Sequence, residues 1–196
     1  MVSPMYNWSG FYIGAMGGYG WSDRVTSGNA AFATSEINGG FGGGQVGYNW
    51  QAPGSQFVFG IEVDAAWSDI KYRETVGIVT FEDRIQSFGS VTGRLGYAVN
   101  SALFYAKGGY AWADNKVSVS TPAATLFSES KFHSGWTVGG GVEYGFTPNW
   151  SIKGEYMYAS YQDENYLAAL APGGVNLGLD VHTVKGGINY RFGGGY

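Results

Sequence analysis

About eight segments of this chain, each roughly 11 to 15 residues long, alternate bulky apolar side chains with small or polar ones at a period of two. The third is the clearest: Phe57, Phe59, Ile61, Val63, Ala65 and Trp67 alternate with Val58, Gly60, Glu62, Asp64, Ala66 and Ser68. In the first, Phe11, Ile13, Ala15, Tyr19 and Trp21 oppose Tyr12, Gly14, Met16, Gly18 and Ser22. Side chains of a strand point alternately to its two faces, so each segment reads as a strand with one bulky and one small face. The connections alternate too. QAPGS, VNS and TPN are short turns, whereas those near 23–37, 69–83, 114–130 and 162–178 run to about 15 residues. Short turns at one end and long loops at the other predict an all-β, eight-stranded antiparallel up-and-down barrel over residues 11–192, with a segment 1–10 before it and a tail 193–196 after it.

Two environments suit such a barrel, and residue size discriminates between them. A soluble barrel turns its bulky apolar face inward. Here the opposite face holds Gly, Ala, Ser and Thr together with Glu62, Asp64, Arg94, Lys107, Glu143, Lys153, Glu155, Lys185 and Arg191. Small residues and balanced charges suit a narrow lumen, and bulky apolar residues suit lipid. These nine ionisable residues are therefore expected to form a charge network that closes the lumen. Aromatics gather at segment ends (Tyr12, Trp21, Trp50, Trp67, Trp112, Trp150, Tyr190 and Phe192), as interfacial girdles require, and Phe59 lies near the middle of its segment. A transmembrane β-barrel follows, located in a bacterial outer membrane with turns and termini in the periplasm. The chain has no run of about 18 apolar residues, which excludes a helical span but says nothing against strands. MVSPMYNWSG lacks a charged region followed by an apolar one, so if the protein is exported this sequence is expected to be a mature or re-engineered form without its signal peptide.

NWSGFYIGAMGGYGW at 7–21, GGQVGYNWQ at 43–51, GRLGYA at 93–98, GGYAW at 108–112 and VKGGINYRF at 184–192 resemble the small outer-membrane β-barrel proteins of alphaproteobacteria, the porin-like group of surface antigens. The resemblance covers essentially the whole barrel. It implies eight strands, surface exposure and a structural or adhesive envelope role, with haem binding in some relatives. One departure concerns the tail: the last-strand signal normally ends at an aromatic, here Phe192, yet GGGY follows.

Other chemistries find little support. With no Cys, disulfides, thiolate metal sites and thiol nucleophiles are excluded, and a net charge of -4 disfavours nucleic acid. Gly42, Gly44 and Gly47 match a dinucleotide-binding spacing but lie inside a strand rather than at the start of a helix. His133 and His182, near the loop ends of their strands, could ligate haem iron or could simply be polar residues at a wet interface. Ser134 and Ser130 lie near His133 and Glu129, but neighbours on a strand point to opposite faces, which opposes a hydrolytic triad. The two N-x-S triplets at Asn7 and Asn149 matter only in a eukaryotic secretory context.

The resulting expectation is a non-enzymatic envelope protein with no catalytic residues, metal or cofactor. Its partners are outer-membrane lipids and lipopolysaccharide, the barrel-assembly machinery during insertion, and an unidentified envelope protein. Two alternatives stand beside it. One is a narrow solute channel, should the lumen charges part; the other is a surface ligand- or partner-binding module, haem included, using the loop aromatics Tyr72, Phe81, Phe127, Tyr161 and Tyr166.

Overall fold

A computed structural model describes residues 6–26, 37–76, 79–121, 124–166 and 175–193, with side chains described for 6–21, 38–68, 87–113, 134–161 and 180–193. Eight strands follow one another: β1 (Gly10–Thr26), β2 (Ile37–Gln51), β3 (Phe57–Val76), β4 (Val79–Val99), β5 (Ala102–Thr121), β6 (Ala124–Gly145), β7 (Trp150–Tyr166) and β8 (Val175–Arg191). Each pairs antiparallel with its chain neighbours, and β1 closes on β8, so the sheet has no free edge. At the turn end the chain reverses tightly. Asn100 takes a φ of 54° in the two residues joining β4 to β5, a left-handed conformation that asparagine tolerates better than most residues.

The loop end departs from the sequence expectation. Connections of about 15 residues were expected at 69–83 and 114–130, but β3 runs on to pair Val76 with Val79 of β4, and β5 runs on to pair Thr121 with Ala124 of β6. Only 77–78 and 122–123 separate these strands. β4 and β5 pair over the same stretch, Thr80 with Ser120 through Ile85 with Asn115, so β3 to β6 continue as one sheet, and backbone pairing can go on there without the one-sided apolar pattern of a lipid-facing wall. DIKYRETVGIVTFEDRI therefore shows β-branched residues among charges without the alternation that marked the barrel wall. Register shifts between Trp67 and Ile70, Ile85 and Ser87, and Tyr161 and Glu164 sit where wall gives way to extension.

Within the wall, the bulky face points outward. Phe11, Ile13, Val46, Ile61, Val63, Val91, Leu95 and Ile188 are exposed, and the alternate positions are buried in the lumen. Because strands of a barrel tilt, a row of paired residues climbs the wall. One such row runs Trp150, Tyr190, Ile13, Val46, Val63, Val91, Tyr110, Trp136. It starts and ends on aromatic residues and is aliphatic between them, which sets the depth scale. Val46 and Val63 fall at mid-depth. Phe59 does not: it is the third residue of β3, with its ring 6.0 Å from Trp50 in the turn-end band. Sequence parity gives the face of a residue but not its height, because nothing local reveals where the tilted strand enters lipid.

Candidate functional site in the lumen

Eight of the nine ionisable residues expected in the lumen meet there, each at most 5% exposed: Glu62, Asp64, Arg94, Lys107, Glu143, Lys153, Glu155 and Lys185. Glu62 is the hub. It binds Lys107 Nζ at 2.6 Å and Lys153 Nζ at 2.9 Å, accepts from Tyr12 Oη at 2.7 Å, and lies 4.0 Å from Arg94. Glu155 meets Lys107 at 2.9 Å, Lys185 at 3.0 Å and Lys153 at 3.4 Å, and accepts from Tyr105 Oη at 2.8 Å. Glu143 pairs with Arg94 at 2.6 Å and accepts from Ser151 and Asn189. Asp64 accepts from Ser90 at 2.6 Å, with Lys185 and Lys107 at 3.5 and 3.7 Å. The Arg94 guanidinium also covers the Tyr105 ring at 3.9 Å, a desolvated cation–π contact.

The pairing follows from the barrel rather than from adjacency. On the ladder Arg94 stands directly opposite Lys107, two like charges that carboxylates from other strands must separate. Glu62 on β3 reaches Lys153 on β7, four strands away in an eight-stranded ring, so this ion pair crosses the full diameter. Four carboxylates balance four cations. The lumen residues room is made for include Tyr12, whose phenol occupies the space a side chain at Gly47 would need.

Arg191 does not join this group. Its parity is as expected, but it ends β8 six residues beyond Lys185, too near the turn end to reach the hub. Instead its guanidinium lies 4.5 Å from the Tyr6 ring centroid and 5.3 Å from that of Trp8, and donates to the Pro148 carbonyl at 3.0 Å. Residues 6–9 fold across the turn-end mouth. Trp8 is fully buried against Val58, Ala98, Leu103 and Tyr105, its backbone N–H donating to Gln51 Oε1 at 2.8 Å. Tyr6 donates to the Thr147 carbonyl and fills the place of a side chain at Gly145. Burial pushes the Tyr6 phenol above its ordinary pKa, with Arg191 pulling the other way. Sequence reasoning missed this stopper because it precedes the alternating pattern; the aromatic pair Tyr6 and Trp8 in YNWSG was the available signal.

On the outside, Trp50, Trp150, Tyr190 and Phe192 stand at the turn end, and Trp21, Trp67 and Trp112 at the loop end. Tyr12 is not among them: only 2% exposed, it belongs to the lumen. His182 stacks on Trp21 with centroids 5.7 Å apart, and its Nδ1 lies 2.7 Å from Tyr156 Oη, so it is part of the outer aromatic wall. The side chains of His133, Tyr72, Phe81, Phe127 and Tyr166 lie outside the described residues, and Tyr161 is buried in the lumen.

This geometry, bulky aromatics bracketing an aliphatic belt around a charged interior, is that of a membrane barrel. The family model described as "Outer membrane protein beta-barrel domain" matches residues 2–192. The chain belongs to this family. It is 38% identical over 193 residues to the 22 kDa outer membrane protein of Rhizobium leguminosarum bv. viciae, covering 97% of this chain and 81% of that protein. To the 25 kDa outer-membrane immunogenic protein of Brucella canis it is 34% identical over 192 residues, covering 97% of this chain and 82% of the relative. Among solved structures, Neisserial surface protein A shares the fold with a TM-score of 0.54 at 16% identity, covering 94% of this chain and 98% of that one. The protein is an outer-membrane β-barrel with surface-antigen relatives.

Proposed function

We propose that this barrel is a non-enzymatic structural component of the envelope, closed to solutes, which anchors surface-exposed segments in the outer membrane. The observation that carries this is the diametric ion pairing of Glu62 with Lys153 inside a neutral, buried network, with Trp8 packed across the turn end. An eight-stranded interior is only wide enough for side chains to fill it. In this reading residues 1–10 and the turns face the periplasm, and residues 193–196 are a tail beyond the last strand. Lipids and lipopolysaccharide surround the aromatic bands, and the assembly machinery inserts the chain. The relatives named as immunogenic proteins support surface exposure.

Planar-bilayer recording tests closure. Refolded protein should give no steady, ion-selective conductance; such a conductance from the unmodified chain would put the channel reading first. A second expected outcome concerns the closed hydrogen-bond ring. With every strand paired on both sides and no edge to fray, unboiled protein should resist SDS and migrate differently from boiled protein. Identical migration together with a helical circular dichroism spectrum would contradict the closed barrel.

A further inference from the structure

The ring of pairings that closes the wall does not continue to the ends of the strands. Beyond the pair of Gly135 with Tyr161, β6 pairs with β5 alone, as far as Ala124 with Thr121, while β7 goes on with β8 alone, as far as Tyr166 with Val175. Beyond the pair of Phe41 with Ser68, β3 likewise pairs with β4 alone, up to Val76 with Val79. The strands β3 to β6 therefore leave the wall as an open sheet with two lateral edges, one along β3 and one along β6. In an antiparallel strand alternate residues turn both N–H and C=O toward opposite neighbours. Among the described residues no second strand pairs with β6 between Ala124 and Ser134, so every other residue there offers both groups at the edge.

The two edges differ in protection. Natural sheets blunt their edges with charge, lysine above all. IKYRETV at 70–76 of β3 carries Lys71, Arg73 and Glu74, a net positive run, whereas FSESKFHS at 127–134 of β6 carries only Glu129 and Lys131 besides one histidine. The β6 run is also regular. Its register against β5 shifts once, skipping Leu126, and then holds from Phe127 to Ser134, longer than a usual strand of about five or six residues. What such an edge accepts is another extended backbone, because only a strand matches its spacing of donors and acceptors. A second upright copy in the same membrane is poorly placed: its β6 also descends from the loop end, so two β6 edges cannot meet antiparallel, the stronger pairing. Charge then selects the peptide. Glu129 and Lys131 are two residues apart on one strand and share a face, so an antiparallel partner satisfies both with an acid and a base two residues apart. We propose that 127–134 accepts, as an added antiparallel strand, an extended segment of a partner protein with the pattern acid-x-base. That this edge lies outside the cell rests on the function proposed above; the pairing itself does not.

The β6 run is its own complement: antiparallel about Ser130, Glu129 meets Lys131 and Lys131 meets Glu129. A capped peptide LFSESKFHS, the sequence of 126–134, is therefore the probe, added to protein refolded singly into lipid nanodiscs. It should bind saturably and slow amide exchange at least about tenfold at every second residue of 127–134, the intervening amides being already held by β5 and those of 70–76 staying unchanged. LFSKSEFHS, of the same composition but with like charges opposed, should bind about fivefold more weakly. No protection, protection of consecutive amides, protection along β3, or equal binding of the two peptides would each overturn the proposal. Self-association of detergent-solubilised protein through the same amides, with no response to the peptide in nanodiscs, would give the edge to a second copy instead. Conductance and heat-modifiable migration are read on the same preparation, so a failed barrel and a closed barrel whose edge takes no strand give different results.

Discussion

Glu62→Gln should destabilise the barrel by about 3–5 kcal/mol, the usual cost of removing one partner from a buried ion pair. The magnitude comes from what is left behind. Glu62 compensates Lys107, Lys153 and, at longer range, Arg94, and it is the acceptor for Tyr12. Glutamine retains the shape and one acceptor oxygen but leaves the network with four cations against three anions, each at most 5% exposed. If charge balance is the cause, removing a cation should rescue the loss. Glu62→Gln combined with Lys153→Met should therefore cost less than Glu62→Gln alone, a non-additivity expected for residues in one network. Arg191→Met, outside the network and at the turn-end mouth, should cost less than Glu62→Gln. Urea titrations of bilayer-refolded protein measure all three. A Glu62→Gln loss equal to that of Arg191→Met, or a double variant worse than the sum of its parts, would show that the lumen is hydrated enough to screen these charges.

Which face a residue occupies was legible from the sequence alone, because a period of two is a local property and the two faces differ in chemistry. Phe57 to Trp67 and Trp150 to Tyr158 sort correctly by parity. Height along the barrel was not legible. It depends on strand tilt and register, which are set by pairing across the whole ring, and this is why Phe59 and Arg191 lie nearer the turn end than their positions in the pattern suggested. Tyr12 was ambiguous for a related reason: an aromatic near a strand end serves a girdle on one face and a lumen hydrogen bond on the other, and parity, which put it inward, was the better guide. The extended pairing of β3 to β6 escaped notice because strand pairing can continue where no one-sided apolar pattern is required.

Val63→Arg tests depth as the Glu62 variants test the lumen. Val63 points outward and pairs with Val46 on one side and Val91 on the other, halfway along the row that climbs from Trp150 to Trp136. An arginine there must hold its guanidinium near the bilayer midplane, where a cation on the lipid face costs about 2–4 kcal/mol, falling to about 0–1 kcal/mol near the interfaces. The side chain can snorkel from the ends of the wall but not from its centre. Phe59→Arg and Tyr97→Arg, both in the turn-end aromatic band, should accordingly cost clearly less than Val63→Arg despite removing larger apolar side chains. The ranking is what discriminates, because a soluble barrel would place all three residues in water and make the three substitutions nearly equal and small. If Phe59→Arg proves the costliest in bilayer refolding titrations, the belt sits nearer the turn end than the aromatic rows indicate; if none costs more than a fraction of a kcal/mol, the outer face does not meet lipid.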